Sequence, residues 1–340
     1  MTAFSYTDSQ GISRLISQTT DPHAVLAAEI GTAYAEYRKR WEAARSFREL
    51  PGFPIHVDYE MKFRCNLRCP MCLMSLPPEK RACYGSQELE LEPQKVVELM
   101  RRGAALGQRA AGFGGLWEPL LALDLPEIVA EGRAAGLVDI LFNTNGLLLT
   151  EKTGEALIRA GLTKLMISLD AATPETYARM RPGSDFATVA ANIENFMKLR
   201  RSLGRVLPLV RLSFCLTALN EAELPAFLER WGGVVDFFSI QTYGAYESVD
   251  PPGFASNHET PAPALCAQPY KRLTVRHNGD VTPCCDASGL GLIMGNIHDQ
   301  DLADIWRGEG FRSLRKACQN GDFASQAQAC LACRAKFQPR

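Results

Sequence analysis

From residue 55 to residue 243 the chain alternates short apolar runs with amphipathic stretches, six times over. The apolar runs read IHVDYEMKF, AAGFGG, VDILFN, KLMISLD, VRLSFCLT and VDFFSIQTY. Between them, apolar residues recur at helical spacing near residues 92–106, 124–136, 151–161, 187–202 and 221–232. Short apolar runs bounded by turn residues predict buried strands, and the helical periodicity predicts helices packed over them. Six strand-helix units of this kind predict an α/β fold whose parallel strands curl into a partial (β/α)6 TIM-like barrel, short of the closed eight.

The flanks have a different texture. Residues 22–48 are rich in Ala, Glu, Arg and Lys, begin at Asp21-Pro22 and stop before Pro51-Gly52. This predicts one long helix within an N-terminal extension over 1–54. Residues 55–243 form the barrel, and 244–264, rich in Pro, Gly and Ser, predict a linker or lid. In the last part, 265–340, KRLTVRHNGDVTPCC predicts a hairpin turning at Asn278-Gly279. Short helices are predicted near 300–307 and 310–319.

Composition narrows the function classes. Lys and Arg number 37 against 38 Asp and Glu, so no single-sign field points to nucleic acid or acidic membranes as a partner. The N-terminus carries no basic segment followed by an apolar run, and no stretch approaches a membrane span, so a cytoplasmic protein is expected. Eleven cysteines is the unusual count; it is odd, and seven fall into two spaced groups, which favours metal ligation over disulfides.

Directly after the first predicted strand stands CNLRCPMC, with Cys65, Cys69 and Cys72 separated by three and then two residues. Three thiolates on one loop can wrap a cubane iron-sulfur cluster and leave its fourth iron without a protein ligand. Structural zinc takes four protein ligands, often as paired CxxC units, and suits this group less well.

CxxxCxxC at the C-terminal end of the first strand of an α/β barrel resembles the radical S-adenosylmethionine superfamily, over roughly residues 55–335. The resemblance implies that S-adenosylmethionine chelates the open iron through its amine and carboxylate, and that the reduced cluster cleaves the sulfonium to a 5'-deoxyadenosyl radical. It further implies an external electron donor such as flavodoxin or ferredoxin. The residue before the third cysteine, often aromatic in the family and beside the adenine, is Met71 here. Gly114-Gly115-Leu116-Trp117-Glu118-Pro119 resembles the family's GGEP segment, with two residues between Gly115 and Glu118, and implies that Glu118 receives the methionine ammonium. Asn143 and Ser168, closing the third and fourth strands, resemble the family positions near the ribose and the methionine carboxylate. Read without the resemblance, Asn145-Gly146 is a turn and Ser168 a helix cap.

The second group resembles the SPASM/twitch class of the same superfamily: Cys266, Gly279, Cys284, Cys285, the segment GNIHDQDLADIW, then Cys330 and Cys333. The resemblance implies one auxiliary cluster held by Cys266, Cys284, Cys330 and Cys333, and hence two 4Fe-4S clusters in all. Four thiolates also satisfy zinc, and Cys285 is an alternative to Cys284. Cys83 and Cys318 are spare thiols in this reading.

On the fifth strand Arg211, Ser213, Cys215 and Thr217 alternate with Val210, Leu212, Phe214 and Leu216, which turns the polar set toward the barrel lumen. Arg211 and Arg181 suit a carboxylate or phosphate. Tyr243 and Glu247 are candidates for a general base, and Cys215 is a candidate hydrogen-atom donor or a small core residue. Three reactions stay open. One is dehydrogenation of a carbohydrate-like small molecule, such as a sugar or aminocyclitol, with the auxiliary cluster accepting an electron. Another is epimerisation with Cys215 returning the hydrogen, and the last is peptide modification.

Overall fold

The computed structural model describes residues 21–86, 88–244, 249, 251–255, 265–284, 291–323, 330, 331 and 333, together with the backbone of 4–7 and 13–17. Glu247, Cys285 and most of 244–264 lie outside the described residues.

The predicted strands form where the apolar runs stand. They are β3 (His56–Tyr59), β4 (Ala110–Phe113), β5 (Asp139–Thr144), β6 (Lys164–Ser168), β7 (Leu209–Leu216) and β8 (Phe237–Thr242), preceded by β1 (Phe4–Thr7) and β2 (Ser13–Ser17). After them come β9 (Arg272–Val275), β10 (Asp280–Thr282) and β11 (Gly295–Asn296). All belong to one sheet in the order β1-β2-β8-β7-β6-β5-β4-β3-β9-β10-β11. From β3 to β8 every neighbouring pair is parallel, as helical crossovers require. The outer face of this parallel core meets the helices: Val57, Phe113, Ile140, Ile167, Leu212 and Phe214 share one apolar cluster with Leu99, Ile128, Leu157, Ile193 and Trp231. The other face is polar, so the sheet reads inside from outside residue by residue.

Three features depart from the sequence reading. The long N-terminal helix is two, Pro22–Ile30 and Thr32–Arg45, because Gly31 takes a positive φ of 85° and ends the first. Residues within 1–54 also supply an antiparallel hairpin, β1–β2, whose second strand pairs with β8. The predicted C-terminal hairpin turns at Asn278-Gly279, yet its first strand, β9, pairs in parallel with β3 and so extends the barrel sheet.

The two N-terminal helices close one end of the barrel. Leu26, Tyr34, Tyr37 and Trp41 pack against Ile55, Ala110, Val138, Leu209 and Phe237, all at strand starts. Beneath them, buried pairs Lys164–Asp139 (2.7 Å) and Arg272–Asp58 (2.9 Å) stop the lumen with charge. The opposite end, where the parallel strands finish, is left for chemistry. Among the described residues no helix is long and apolar enough to cross a membrane.

Candidate functional site

The loop leaving β3 carries Cys65, Cys69 and Cys72, and it is ordered by its own backbone. The Cys72 amide donates to the Cys69 carbonyl and the Ser75 amide to the Cys72 carbonyl, both at 2.9 Å. Each sulfur faces a donor. The amides of Leu67 and Met74 lie 3.4 Å from the sulfurs of Cys65 and Cys72, and Arg181 Nη1 lies 3.8 Å from that of Cys69. Donors aimed at sulfur stabilise thiolate, the form that binds iron. Burial pushes the Cys72 thiol up to about 11, so loading metal there must displace a proton.

Among the described residues no three His, Cys, Asp or Glu side chains converge tightly enough to hold a single metal ion. The fit of this loop to a cluster rests on its donor chemistry: three sulfurs, each met by an N–H. Soft sulfur ligands of this kind suit iron-sulfur clusters.

The loop after β4 approaches from the next strand. Gly115 has φ 99°, and a Cβ there would collide with the Glu60 carboxylate; a Cβ on Gly114 would stand 3.2 Å from Asn143 Nδ2. Glycine at 115 is therefore required by both backbone and space. Glu118 is 2% exposed. Its Oε1 accepts from Thr144 Oγ1 at 2.6 Å and the Leu120 amide at 3.1 Å, and its Oε2 from the Asn145 amide at 2.9 Å. Three of roughly four lone-pair sites are thus used, leaving one on Oε2 for a further cation or donor. Burial raises the pKa of this carboxyl, and the three donors oppose that. Asn145 also donates to Asn66 Oδ1 at 2.8 Å, tying this wall to the cysteine loop.

Inside the lumen the strands align in rows. Asn143, Met166 and Arg211 are register partners on β5, β6 and β7, and Arg211 Nη2 donates to Asn143 Oδ1 at 3.3 Å. One row up stand Ser168, Ser213 and Ser239, then Cys215 beside Gln241. The buried Ser213 hydroxyl has no partner. Asn143 is exposed to the lumen. Val210, Leu212, Phe214 and Leu216 face the helices, as the alternation on β7 requires.

Asp170, at φ 57°, is the hub beside the cysteine loop. Its Oδ2 accepts from Arg181 Nε at 2.8 Å and from Arg181 Nη2, and its Oδ1 from the Cys215 amide at 2.7 Å. Asn220 donates at 2.8 Å to the carbonyls of Asp170 and Cys215. The guanidinium of Arg181 is therefore shared between Asp170 and Cys69. Cys215 packs with Met71, Met180, Tyr243 and Phe254. Burial pushes its thiol far above the ordinary range, so it carries its proton at any physiological pH. Tyr243, just past β8, donates its hydroxyl to the Val249 carbonyl at 3.0 Å.

At the C-terminal end Cys318 and Leu314, from the helix Glu309–Asn320, form a small dry cluster with Phe323, against which Cys266, Met294 and Cys330 pack. Cys318 also lies within electrostatic reach of Cys284. Cys333 follows Cys330 by one helical turn. This region is tied to the first site by a buried pair, Arg276 Nε to Glu60 Oε2 at 3.3 Å, while Glu60 Oε1 accepts from the Leu116 amide at 3.3 Å. His277 stacks on Phe63 with ring centroids 5.3 Å apart. Glu60, Asp170, Arg276 and Cys318 are absent from the sequence-derived site. Only Asp170, two residues beyond Ser168, stood near a residue that was in it.

The sequence profile of the Radical SAM superfamily matches residues 59–228, and that of the SPASM iron-sulfur cluster-binding domain matches 266–334. A PqqA peptide cyclase of Xanthomonas campestris pv. campestris is 26% identical over 306 residues, 77% of this chain and 76% of the relative. The fold is similar to Streptococcus suis SuiB bound to S-adenosylmethionine, with a TM-score of 0.63 and 14% identity over 83% of this chain and 72% of SuiB. A second SuiB structure gives 0.63 and 13% over 92% and 89%. With the matched profile running from the first barrel strand through the cysteine loop to the helix before β8, the chain belongs to the radical SAM superfamily, carries a SPASM domain, and works with S-adenosylmethionine and two 4Fe-4S clusters.

Proposed function

We propose that this radical SAM enzyme abstracts hydrogen from a small, polar, hydroxyl-bearing molecule such as a sugar or aminocyclitol and oxidises it. The observation that carries this reading is the lumen wall: Arg211, exposed Asn143 and the unpartnered buried hydroxyl of Ser213 offer polar recognition just beneath the cysteine loop. A buried hydroxyl without a partner costs free energy until a polar group meets it.

Cys65, Cys69 and Cys72 would hold the first cluster, and Cys266, Cys284, Cys330 and Cys333 the auxiliary one. When bound, the first cluster and S-adenosylmethionine supply one-electron cleavage of the sulfonium and, from it, the hydrogen-abstracting group. Glu118, with a site left on Oε2, would hold the methionine ammonium, and Gly114-Gly115 would let the cofactor approach the backbone. Asn143 and Ser168 would serve the ribose and the methionine carboxylate, and Met71 the adenine. Arg181, fixed by Asp170, holds the Cys69 side of the loop. Arg211 orients the substrate through its fork. For oxidation the substrate carbon would lose one hydrogen atom and its hydroxyl a proton to a base, and the cluster that Cys266, Cys284, Cys330 and Cys333 would hold would supply an acceptor for the remaining electron. Glu247 is the proposed base, while the Tyr243 hydroxyl donates to the Val249 carbonyl.

Two further readings each have an observation behind them. Peptide modification is favoured by the relative that is a PqqA peptide cyclase. Epimerisation is favoured by Cys215, a thiol that keeps its hydrogen and whose backbone is clamped to Asp170.

Anaerobic incubation with S-adenosylmethionine, dithionite and panels of sugars, aminocyclitols and short peptides tests the choice. Stimulation of 5'-deoxyadenosine by a sugar or aminocyclitol, with a product two mass units lighter, is expected. Stimulation by peptides alone would replace this reading with the peptide one.

A further inference from the structure

Cys318 has no role in the ligand set above, yet it sits at the centre of the auxiliary site. It is 1% exposed, on the last turn of the helix Glu309–Asn320 before Gly321. Its carbonyl accepts from the Cys266 amide at 3.4 Å, and the side chains of Cys266 and Cys330 pack against its cluster. The surroundings are dry: Leu314, Phe323, Leu292 and Met294 enclose it. A fifth sulfur this close to one ligand, in a set already complete at four, is better placed to donate to that ligand than to take an iron of its own.

We infer that the Cys318 S–H donates a hydrogen bond to the Cys266 thiolate and thereby raises the reduction potential of the auxiliary cluster. The inference rests on the assignment of Cys266, Cys284, Cys330 and Cys333 to that cluster. The physical reason is charge. Reduction adds an electron to a cluster whose sulfur ligands are anionic, and a donor aimed at one of them stabilises the reduced form more than the oxidised one. Cys318 is then a positioning residue that makes the auxiliary cluster a better acceptor of the substrate's electron. No bond is made or broken: one electron moves, and the S–H proton stays on Cys318.

The test is an EPR-monitored redox titration of the reconstituted protein alongside Cys318→Ala and Cys318→Ser, with iron and sulfide counted in each. Wild type and both variants should hold about eight irons and eight sulfides, the content of two four-iron clusters. At the wild-type midpoint of the auxiliary cluster, Cys318→Ala should show a reduced-to-oxidised ratio lower by about threefold or more, the scale of one hydrogen bond. Cys318→Ser, which keeps a donor, should recover most of that ratio. An unchanged midpoint in Cys318→Ala with full iron would overturn the inference alone. Loss of about four irons in a folded Cys318→Ala would make Cys318 a ligand and overturn it too. Wild type that reconstitutes with about four irons and a zinc would overturn the site assignment, and the inference with it.

Discussion

The two cysteine groups of this chain are built by opposite strategies. Cys65, Cys69 and Cys72 sit on one loop at the end of a central parallel strand, and the loop's own amides reach two of the three sulfurs. Cys266, Cys284 and Cys330, with Cys318 among them, come from segments far apart in sequence and meet only because β9 joins the barrel edge and the helix Glu309–Asn320 folds over it. The first group is locally encoded and in our proposal leaves an open position; the second is assembled by tertiary contacts and in our proposal is closed. An open set suits bond cleavage and a closed one suits electron storage, so the construction of each matches the work we assign to it.

That contrast can be broken experimentally. The largest effect is expected from replacing Cys65, Cys69 and Cys72 together by Ala, which should abolish formation of 5'-deoxyadenosine; residual formation above the no-protein background would argue against that loop as the reducing site. Gly115→Ala should come next, with cleavage falling by roughly two orders of magnitude or about 3 kcal/mol, since the Cβ collides with Glu60 and the backbone has positive φ. A variant with near-normal rate would mean the loop after β4 does not need its present path.

A smaller change is expected where the two groups are joined. Arg276→Ala strands the buried Glu60 carboxylate, whose pKa burial already raises, and should destabilise the fold by about 3 kcal/mol in chemical denaturation. Adding Glu60→Gln should return part of this loss; no recovery would show that the pair's charge is not what matters. The smallest effect is expected from Cys215→Ala. For a dehydrogenase, oxidised product should still form within about tenfold of the wild-type rate. Carbon-bound deuterium from heavy water in the wild-type product, lost in Cys215→Ala, would instead favour the epimerase.

How much of this was legible beforehand follows from the same contrast. The six parallel strands lay where period and turn residues put them, and the cysteine loop was readable because its spacing is local. The break at Gly31 turns on one backbone dihedral, which composition does not reveal. The pairing of β9 with β3 joins residues more than two hundred positions apart, and no periodicity encodes a partner. Cys318 looked spare because its neighbours are defined by helix packing, and Glu60 looked ordinary because only the loop carrying Gly115 and Leu116 gives it meaning. Asp170 was visible at the end of a strand, but its grip on both Arg181 and the Cys215 amide is a property of the folded lumen.

The division of labour between the two groups is tested most directly by measuring 5'-deoxyadenosine and product together in a folded Cys330→Ala, Cys333→Ala double variant. We expect S-adenosylmethionine cleavage to persist while substrate turnover to product stops, because the first cluster is intact and the electron acceptor is gone. Loss of all cleavage in that folded variant would contradict the account.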